Sequence, residues 1–452
     1  MYKLLPQSIQ TILSILSSHN EEAFLVGGCV RDYFLNRNIH DFDIATSAKP
    51  EKTMAIFKEH GYSVIPTGLK HGTVTIHLDH QDVEVTTYRV ESAYQDHRHP
   101  SKVVFTTTLK EDLNRRDFTM NAIAYHPTTG FFDPFHGQED LNQQLIRCVG
   151  DASTRFNEDA LRILRAIRFQ CQLHFQLDQD CQKGIIQQAH LLTYVSKERI
   201  RDEFNKILLS NHLNTLQLLH DLQVLDYILP GYSMIYDYPQ RTPWHCYDIF
   251  KHTDYALNHT ENRPLILKLA LVFHDLGKPS CETFDKNGIA HYKRHAIVSE
   301  QLALHYLKLL KYDNKTIHQV CLLIRYHDWY VHEKRSCMRE YLALFEENYE
   351  LAFLGLQMQL ADDYAKNLEK VQDKIATIQT CIQILKQIQQ EQDMVYRKDL
   401  AINGNDVKEL QIYGKEIKHA LDTAYAWVLE NPTRNTKKTL LDYLQYKKSK
   451  TN

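Results

Sequence analysis

Leu25-Val26-Gly27-Gly28-Cys29-Val30-Arg31-Asp32, followed shortly by Asp41-Phe42-Asp43, decides how the first part of this chain is read. Phe24 to Val26 has the apolar character of a buried strand end, and Val30 to Leu35 that of a helix's first turns. Gly27 and Gly28 let the backbone bend tightly and approach a ligand, with free amides at the helix start facing an anion. Arg31 adds a permanent charge whose fork suits phosphate oxygens. If Asp41 to Ile44 is a strand, alternation sends both carboxylates from one face, where they can share a cation. Hard oxygen ligands of this kind suit Mg²⁺, which is held by one or two carboxylates together with substrate phosphates. A phosphate turn followed by a carboxylate pair points to nucleotidyl transfer. Each half alone reads more readily as a helix-start turn or a pair of solvated loop aspartates, so the joint spacing carries the inference.

A third carboxylate fits the plan. Asp82-Val83-Glu84-Val85-Thr86-Thr87-Tyr88-Arg89 alternates like a strand, with Glu84 on the face opposite Val83 and Val85. A neighbouring strand would bring Glu84 beside Asp41 and Asp43 as a further metal ligand or a base for the attacking hydroxyl. An ordinary exposed strand carboxylate is the alternative.

At 452 residues the chain exceeds a single core, and about three or four units are expected. A formal net charge of −3 provides no global basic field, so a nucleic-acid partner must be held by a local patch. Nine cysteines without a CxxC pair suit a reducing compartment. The first residues, Met1-Tyr2-Lys3-Leu4-Leu5-Pro6, lack a signal-peptide apolar core, and no run of about eighteen apolar residues occurs. A soluble cytoplasmic protein with no membrane partner is expected. Residues 1 to about 135 mix helix with β-rich runs such as Gly72–Leu78 and Lys102–Phe105, whereas from about 139 nearly every segment has helical periodicity. An α+β fold is therefore expected, an α/β head followed by a helical body. Val371, Ile375, Ile378, Ile382, Leu385 and Ile388 form a stripe at spacings of three and four, read as a helix packed within the body rather than a dimer seam.

Residues 157–169 read as one helix on which Asp159, Arg162, Arg165 and Arg168 follow three apart. A salt-bridged wet face is the plain account. Hydrogen-bond inventory offers another, because Asp accepts and Arg only donates. Cytosine and adenine each present an amino donor beside a ring-nitrogen acceptor, so an Asp–Arg pair complements both. Uracil and guanine would leave both protein groups unpaired. Arg165 and Arg168 would then hold phosphates or RNA backbone. The segment Leu113 to Ala122 supplies Arg116, Asp117 and Asn121 as further polar groups for a nucleotide pocket.

Taken in order, the glycine turn with Asp41-Phe42-Asp43, the run Arg115 to Ala122, Glu158-Asp159-Ala160-Leu161-Arg162, and Glu198-Arg199-Ile200 with Glu203 and Lys206-Ile207-Leu208 resemble the motifs of class II tRNA nucleotidyltransferases. That family comprises CCA-adding enzymes and bacterial poly(A) polymerases. The resemblance implies a nucleotidyltransferase head (1–138), a helical neck that reads the base (139–215), a helical body (216–370) and a helical, tRNA-binding tail (371–452). It implies that Gly27, Gly28, Arg31, Arg116, Asp117, Asn121, Asp159, Arg162, Arg165 and Arg168 form the nucleotide pocket, and that Asp41 and Asp43 bind Mg²⁺. The expected partners are CTP, ATP and the acceptor arm and 3′ end of tRNA. Thr87 to Pro100 resembles the flexible-loop segment that CC-adding enzymes lack, which favours CCA or A addition. A-adding and poly(A)-polymerase activities remain the alternatives. Leu400 to Val407 with Gly414, Asn431-Pro432 and Asn435 looks like the tail motif of bacterial CCA-type enzymes.

A second constellation lies between residues 245 and 365. His245 and His252 precede Phe273-His274-Asp275-Leu276-Gly277-Lys278-Pro279, followed by His291, His295, His327-Asp328 and Ala361-Asp362-Asp363. Imidazoles and carboxylates from several helices can converge on a divalent metal. The segment resembles an HD-type phosphohydrolase domain, with His252, His274, Asp275 and Asp362 matching its four ligand positions. That resemblance implies a second divalent metal and, if the site turns over, activity on 2′,3′-cyclic phosphates or phosphomonoesters.

Overall fold

Period-two alternation and tight turns build one sheet in the first part of the chain. The computed structural model describes residues 1, 5–39, 41–79, 81–91 and 103–451. It divides into two compact units, Met1–Pro230 and Gly231–Asn452. The first contains strands β1 (Ala23–Val26), β2 (Asp43–Thr46), β3 (Ser63–Gly68), β4 (Thr73–Leu78) and β5 (Gln81–Thr87). With the strands Ala124–His126 and Gly130–Phe132 they form a seven-stranded sheet ordered β3-β4-β5-β2-β1 and then those two. β2 runs parallel to β5, with Asp43 beside Glu84, and antiparallel to β1, with Asp43 beside Val26. Val26, Ala45, Tyr88, Leu113, Ala122, Ala124 and Val149 pack as a buried core on this sheet.

Strand β2 begins at Asp43, not at Asp41 as the alternation suggested. The reason is local. β1 ends at Val26, the partner of Asp43, because the chain leaves the sheet at Gly27 with φ of 76°. Nothing of β1 remains for Asp41 to pair with. The flexible-loop expectation over 87–100 falls largely on residues 92–100, which lie outside the described residues.

The stretch 157–169 is likewise not one helix. A helix Ala152–Glu158 ends, Asp159 turns extended (φ −137°, ψ 102°), and a new helix runs Leu161–Leu173. Asp159 starts that second helix: its Oδ1 accepts from Leu161 N at 3.1 Å and its carbonyl from Arg162 N at 3.0 Å. Short acceptors of this kind favour helix starts over helix interiors. Helices Thr215–Asp221 and Leu225–Ile228, expected with the body, belong to the first unit.

The second unit is helical apart from the two-residue strands Thr283–Phe284 and Ala290–His291. Helices Ile249–Asn258, Leu265–Phe273, His295–Leu309, Asn314–Arg325 and Tyr349–Tyr364 pack against one another. Leu368–Gln390 buries Val371, Ile378, Leu385 and Ile388 against its neighbours in this unit, with Ile375 and Ile382 half-buried. The motif residues of the tail act locally. Asn403 and Asp406 form a capping box, Asn435 joins Ala401 N to Asp399 O, and Asn431 caps a short turn. Among the described residues no helix is long and apolar enough to cross a membrane.

Candidate functional sites: an acidic end of the sheet and a buried histidine–aspartate cluster

At one end of the sheet the register gathers Gly27, Asp43 and Glu84. All three carboxylates, Asp41, Asp43 and Glu84, are exposed. Loss of surrounding water raises the Asp43 carboxyl above its ordinary value, Arg116 opposes that rise, and Asp41 adds to it. Glu84 is raised for the same first reason, then by Asp43 and Asp41. Their mutual repulsion is a concentrated negative potential that a divalent cation relieves. The trio does not converge within the 4.8 Å seen in the histidine cluster described below.

Arg116 closes the other side. A Cβ placed on Gly27 would lie 3.2 Å from Arg116 Nη1 and 3.6 Å from Asp43 Oδ2, so only glycine leaves this approach open. Arg116 Nε is buried without a hydrogen-bond partner. Arg31 donates to Asp32 and, through Nη1, to Asn121 Oδ1 at 2.9 Å. Asn121 donates in turn to Asp117, whose other oxygen receives Arg165 Nε at 2.8 Å. Burial would raise Asp117, but Arg165 and Asn121 outweigh it and hold the carboxyl well below the usual carboxylate range. The Phe169 ring lies beneath three guanidiniums, with Arg168 at 4.4 Å, Arg31 at 5.0 Å and Arg165 at 5.8 Å. Arg31, Asp117, Asn121, Arg165 and Arg168 are thus brought into one network. Asp159 and Arg162 do not pair with each other. Asp159 accepts from Arg199 at 3.1 Å, while Arg162, largely buried, donates to Glu158 at 2.6 Å and to the carbonyls of Arg155 and Arg115. Arg199 was legible as part of a motif, but its pairing with Asp159 was not, because its helix, Lys197–Leu208, is distant along the chain.

In the second unit, His252, His274, Asp275 and Asp362 converge, all buried, with one ligand atom each inside 4.8 Å. Asp362, rather than its neighbour, joins the cluster, and Asp363 pairs with Lys366 and Lys374. Burial would raise Asp275, but His274 and Lys278 hold it well below the usual range. Burial would lower His274, yet Asp275 and Asp362 raise it to about 9. His245 stands aside, bonded to Thr242 at 2.7 Å, and the exposed His291 faces Asp285. His295 and His327 lie beside Asp275 as well, which spacing alone could not reveal.

A sheet that aligns carboxylates beside a glycine turn, continued by arginine-rich helices, is the arrangement expected of a nucleotidyltransferase head. Residues 23–147 match the family model described as the poly A polymerase head domain, and residues 174–235 the probable RNA and SrmB-binding site of polymerase A. Curated relatives include the CCA-adding enzymes of Anoxybacillus flavithermus, 46% identical over 219 residues, and Lactobacillus johnsonii, 50% identical over 206 residues. These alignments cover 48% and 45% of this chain and 54% and 51% of the relatives, so the chain spans about half the length of the curated relatives it matches. The crystal structure of the Bacillus stearothermophilus CCA-adding enzyme in complex with CTP aligns over 98% of both chains, at 29% identity and a TM-score of 0.75. The first unit is thus similar to the poly A polymerase head and RNA-binding regions, and the chain as a whole resembles a CCA-adding enzyme in fold.

Proposed function

We propose that the chain adds or repairs the 3′-terminal CCA of tRNA, using CTP and ATP without a nucleic-acid template and releasing pyrophosphate. The observation that carries this reading is the register of Val26, Asp43 and Glu84, with Arg116 against Gly27. The residues fit Mg²⁺: Asp41 and Asp43 would hold it, with phosphate and water oxygens completing its shell. Bound there, Mg²⁺ supplies a Lewis acid that lowers the pKa of the attacking 3′-hydroxyl and neutralises charge on the departing pyrophosphate. Arg116 and the Gly27–Gly28 backbone orient the triphosphate, and Glu84, its affinity for a proton raised by its neighbours, accepts the hydroxyl proton. Holding both reactants contributes on the order of 7–11 kcal/mol. Asp159 and Arg162 read the amino and ring-nitrogen edge of cytosine or adenine, exchanging their present partners Arg199 and Glu158 for the base. Tail residues grip RNA: Trp427 stacks on Tyr443 at 3.9 Å, with Arg434 4.6 Å from the indole.

Given a tRNA transcript lacking CCA together with CTP and ATP, the protein should release one pyrophosphate per nucleotide added. No release under those conditions would contradict the proposal.

The buried cluster favours a second activity in the same chain, metal-dependent hydrolysis of 2′,3′-cyclic phosphates or phosphomonoesters. His252, His274, Asp275 and Asp362 would hold the metal. Release of phosphate from a 3′-phosphorylated oligonucleotide tests it, and no release with any divalent transition metal would contradict it.

A further inference from the structure

We infer that Asp112 is a positioning residue of the head: it holds the Arg116 guanidinium away from Asp43 and so keeps that carboxylate open to a divalent cation. The inference rests on the reading of Asp41 and Asp43 as the Mg²⁺ ligands.

Asp112 lies on the short helix Leu109–Asn114, with its side chain only 1% exposed. A carboxylate so deeply buried is costly unless it is paired. Its Oδ1 accepts from Arg115 Nε at 3.0 Å and Nη2 at 2.8 Å, and from the Arg89 backbone N at 3.3 Å. Its Oδ2 faces Arg116 Nη2 at 3.4 Å, one helical turn further on. Burial would raise the carboxyl, but Arg115 and then Arg116 outweigh it and hold the group below its ordinary value. Arg115, bound twice, does most to offset the buried charge. What the Oδ2 contact adds is a fixed place for Arg116.

That place matters because the Arg116 side chain has no other tether among the described residues. Its Nε is buried without a hydrogen-bond partner, and Asp112 is its one ion-pair partner there. The remaining nitrogen, Nη1, points to the metal site. The spot where a Cβ on Gly27 would stand is 3.2 Å from Nη1 and 3.6 Å from Asp43 Oδ2. One guanidinium thus reaches from Asp112 to the gap that Gly27 leaves, with Asp43 on the far side. Arg116 opposes the rise of the Asp43 carboxyl from there. An arginine fork matches a carboxylate closely, so a guanidinium seated on Asp43 would cover an oxygen that Mg²⁺ needs. The pull of Asp112 on Nη2 prevents that seat and leaves Nη1 where a triphosphate approaches.

The test reads Mn²⁺ binding to the full chain from the electron paramagnetic resonance signal of the free ion, without nucleotide or turnover. In each background the same protein carrying Asp41→Ala and Asp43→Ala is subtracted, so that only the head site is counted. Asp112→Asn should raise the head's dissociation constant about tenfold, within the coupling range of contacting residues. The same change made together with Arg116→Gln should shift it by less than about twofold, since no guanidinium is left to restrain. Equal weakening in both backgrounds would mean that Asp112 acts through its own charge or its helix, and would overturn the inference. No weakening in either would overturn it as well. In extension assays Asp112→Asn should need more Mg²⁺ for half-maximal CTP addition, with the maximal rate recovered at high Mg²⁺. Arg116→Gln alone, which decides even if the Asp112 variant misfolds, should tighten binding by no more than about threefold, the scale of a charge acting without a close pair. Tightening of about tenfold or more would place the guanidinium on Asp43 already, as a contacting pair, and contradict the restraint. Manganese binding left unchanged by Asp41→Ala with Asp43→Ala would overturn the Mg²⁺ reading itself, and the inference with it.

Discussion

The head and the second unit both assemble acidic groups, but they meet charge in opposite ways. Asp41, Asp43 and Glu84 stand exposed at one end of the sheet, where lost water and the neighbouring carboxylates raise Asp43 and Glu84, and Arg116 opposes the rise at Asp43. Asp275 and Asp362 are buried and held ionised by His274, Lys278 and Lys366, with His252, His295 and His327 beside them. An open oxygen site suits a metal that arrives with a polyanionic nucleotide and leaves with pyrophosphate. A closed nitrogen–oxygen site suits a resident ion. On the proposed function, exposure and donor type would separate a transient metal site from a resident one within one chain.

Removing the head carboxylates breaks the comparison most severely. Asp43→Ala should lower the rate of C and A addition together by at least ~10²–10³-fold, the scale of losing one preorganised charge-stabilising group. Retained A addition in a rapid-quench assay would sink the shared-metal account. Metal exchange comes next. After chelation, Mg²⁺ alone should restore nucleotide addition but should not refill the histidine cluster, whereas Mn²⁺ should do both; elemental analysis beside the extension assay reads the two. Asp159→Ala should reduce discrimination of CTP against UTP by about tenfold or more, since an unpaired buried group costs about 1–3 kcal/mol. Unchanged discrimination would refute base reading by Asp159.

The smallest effect concerns the link between head and arginine helix. Asp117→Asn should cost about 1–3 kcal/mol at pH 7, because Arg165 loses its ionic partner while remaining partly solvated. The folded-state carboxyl is depressed, so its stabilisation is fully present above the unfolded value of about 3.9 and is lost as pH falls through the folded value. The gap between wild type and variant in urea unfolding should therefore persist at neutral pH and narrow below about pH 4. A gap that widened in acid would contradict the assignment.

Short-range patterns carried much of this in advance. Alternation around Glu84 and the apolar run before Gly27 determine strands whose pairing follows directly. The break at Asp159 was also present in the residue type, an aspartate suited to begin a helix, but the flanking helical periodicity concealed it. Partners distant along the chain stayed hidden: Arg199 opposite Asp159, and His295 with His327 opposite Asp275. Their spacing obeys no local period because it is created by packing between helices. The choice of Asp362 over Asp363 came from the resemblance to HD-type domains, and the fold bears it out, since adjacent helical residues differ in direction by about 100°.

The most direct measurement is single-turnover extension of tRNA transcripts ending before the CCA, after its second C, and after the complete CCA, each given CTP, ATP or both. Addition of C, C and A in order, followed by a stop, is the predicted result. Addition of A alone to the transcript ending in CC, or continued A addition past the complete terminus, would contradict it and assign the chain to A addition or to poly(A) synthesis.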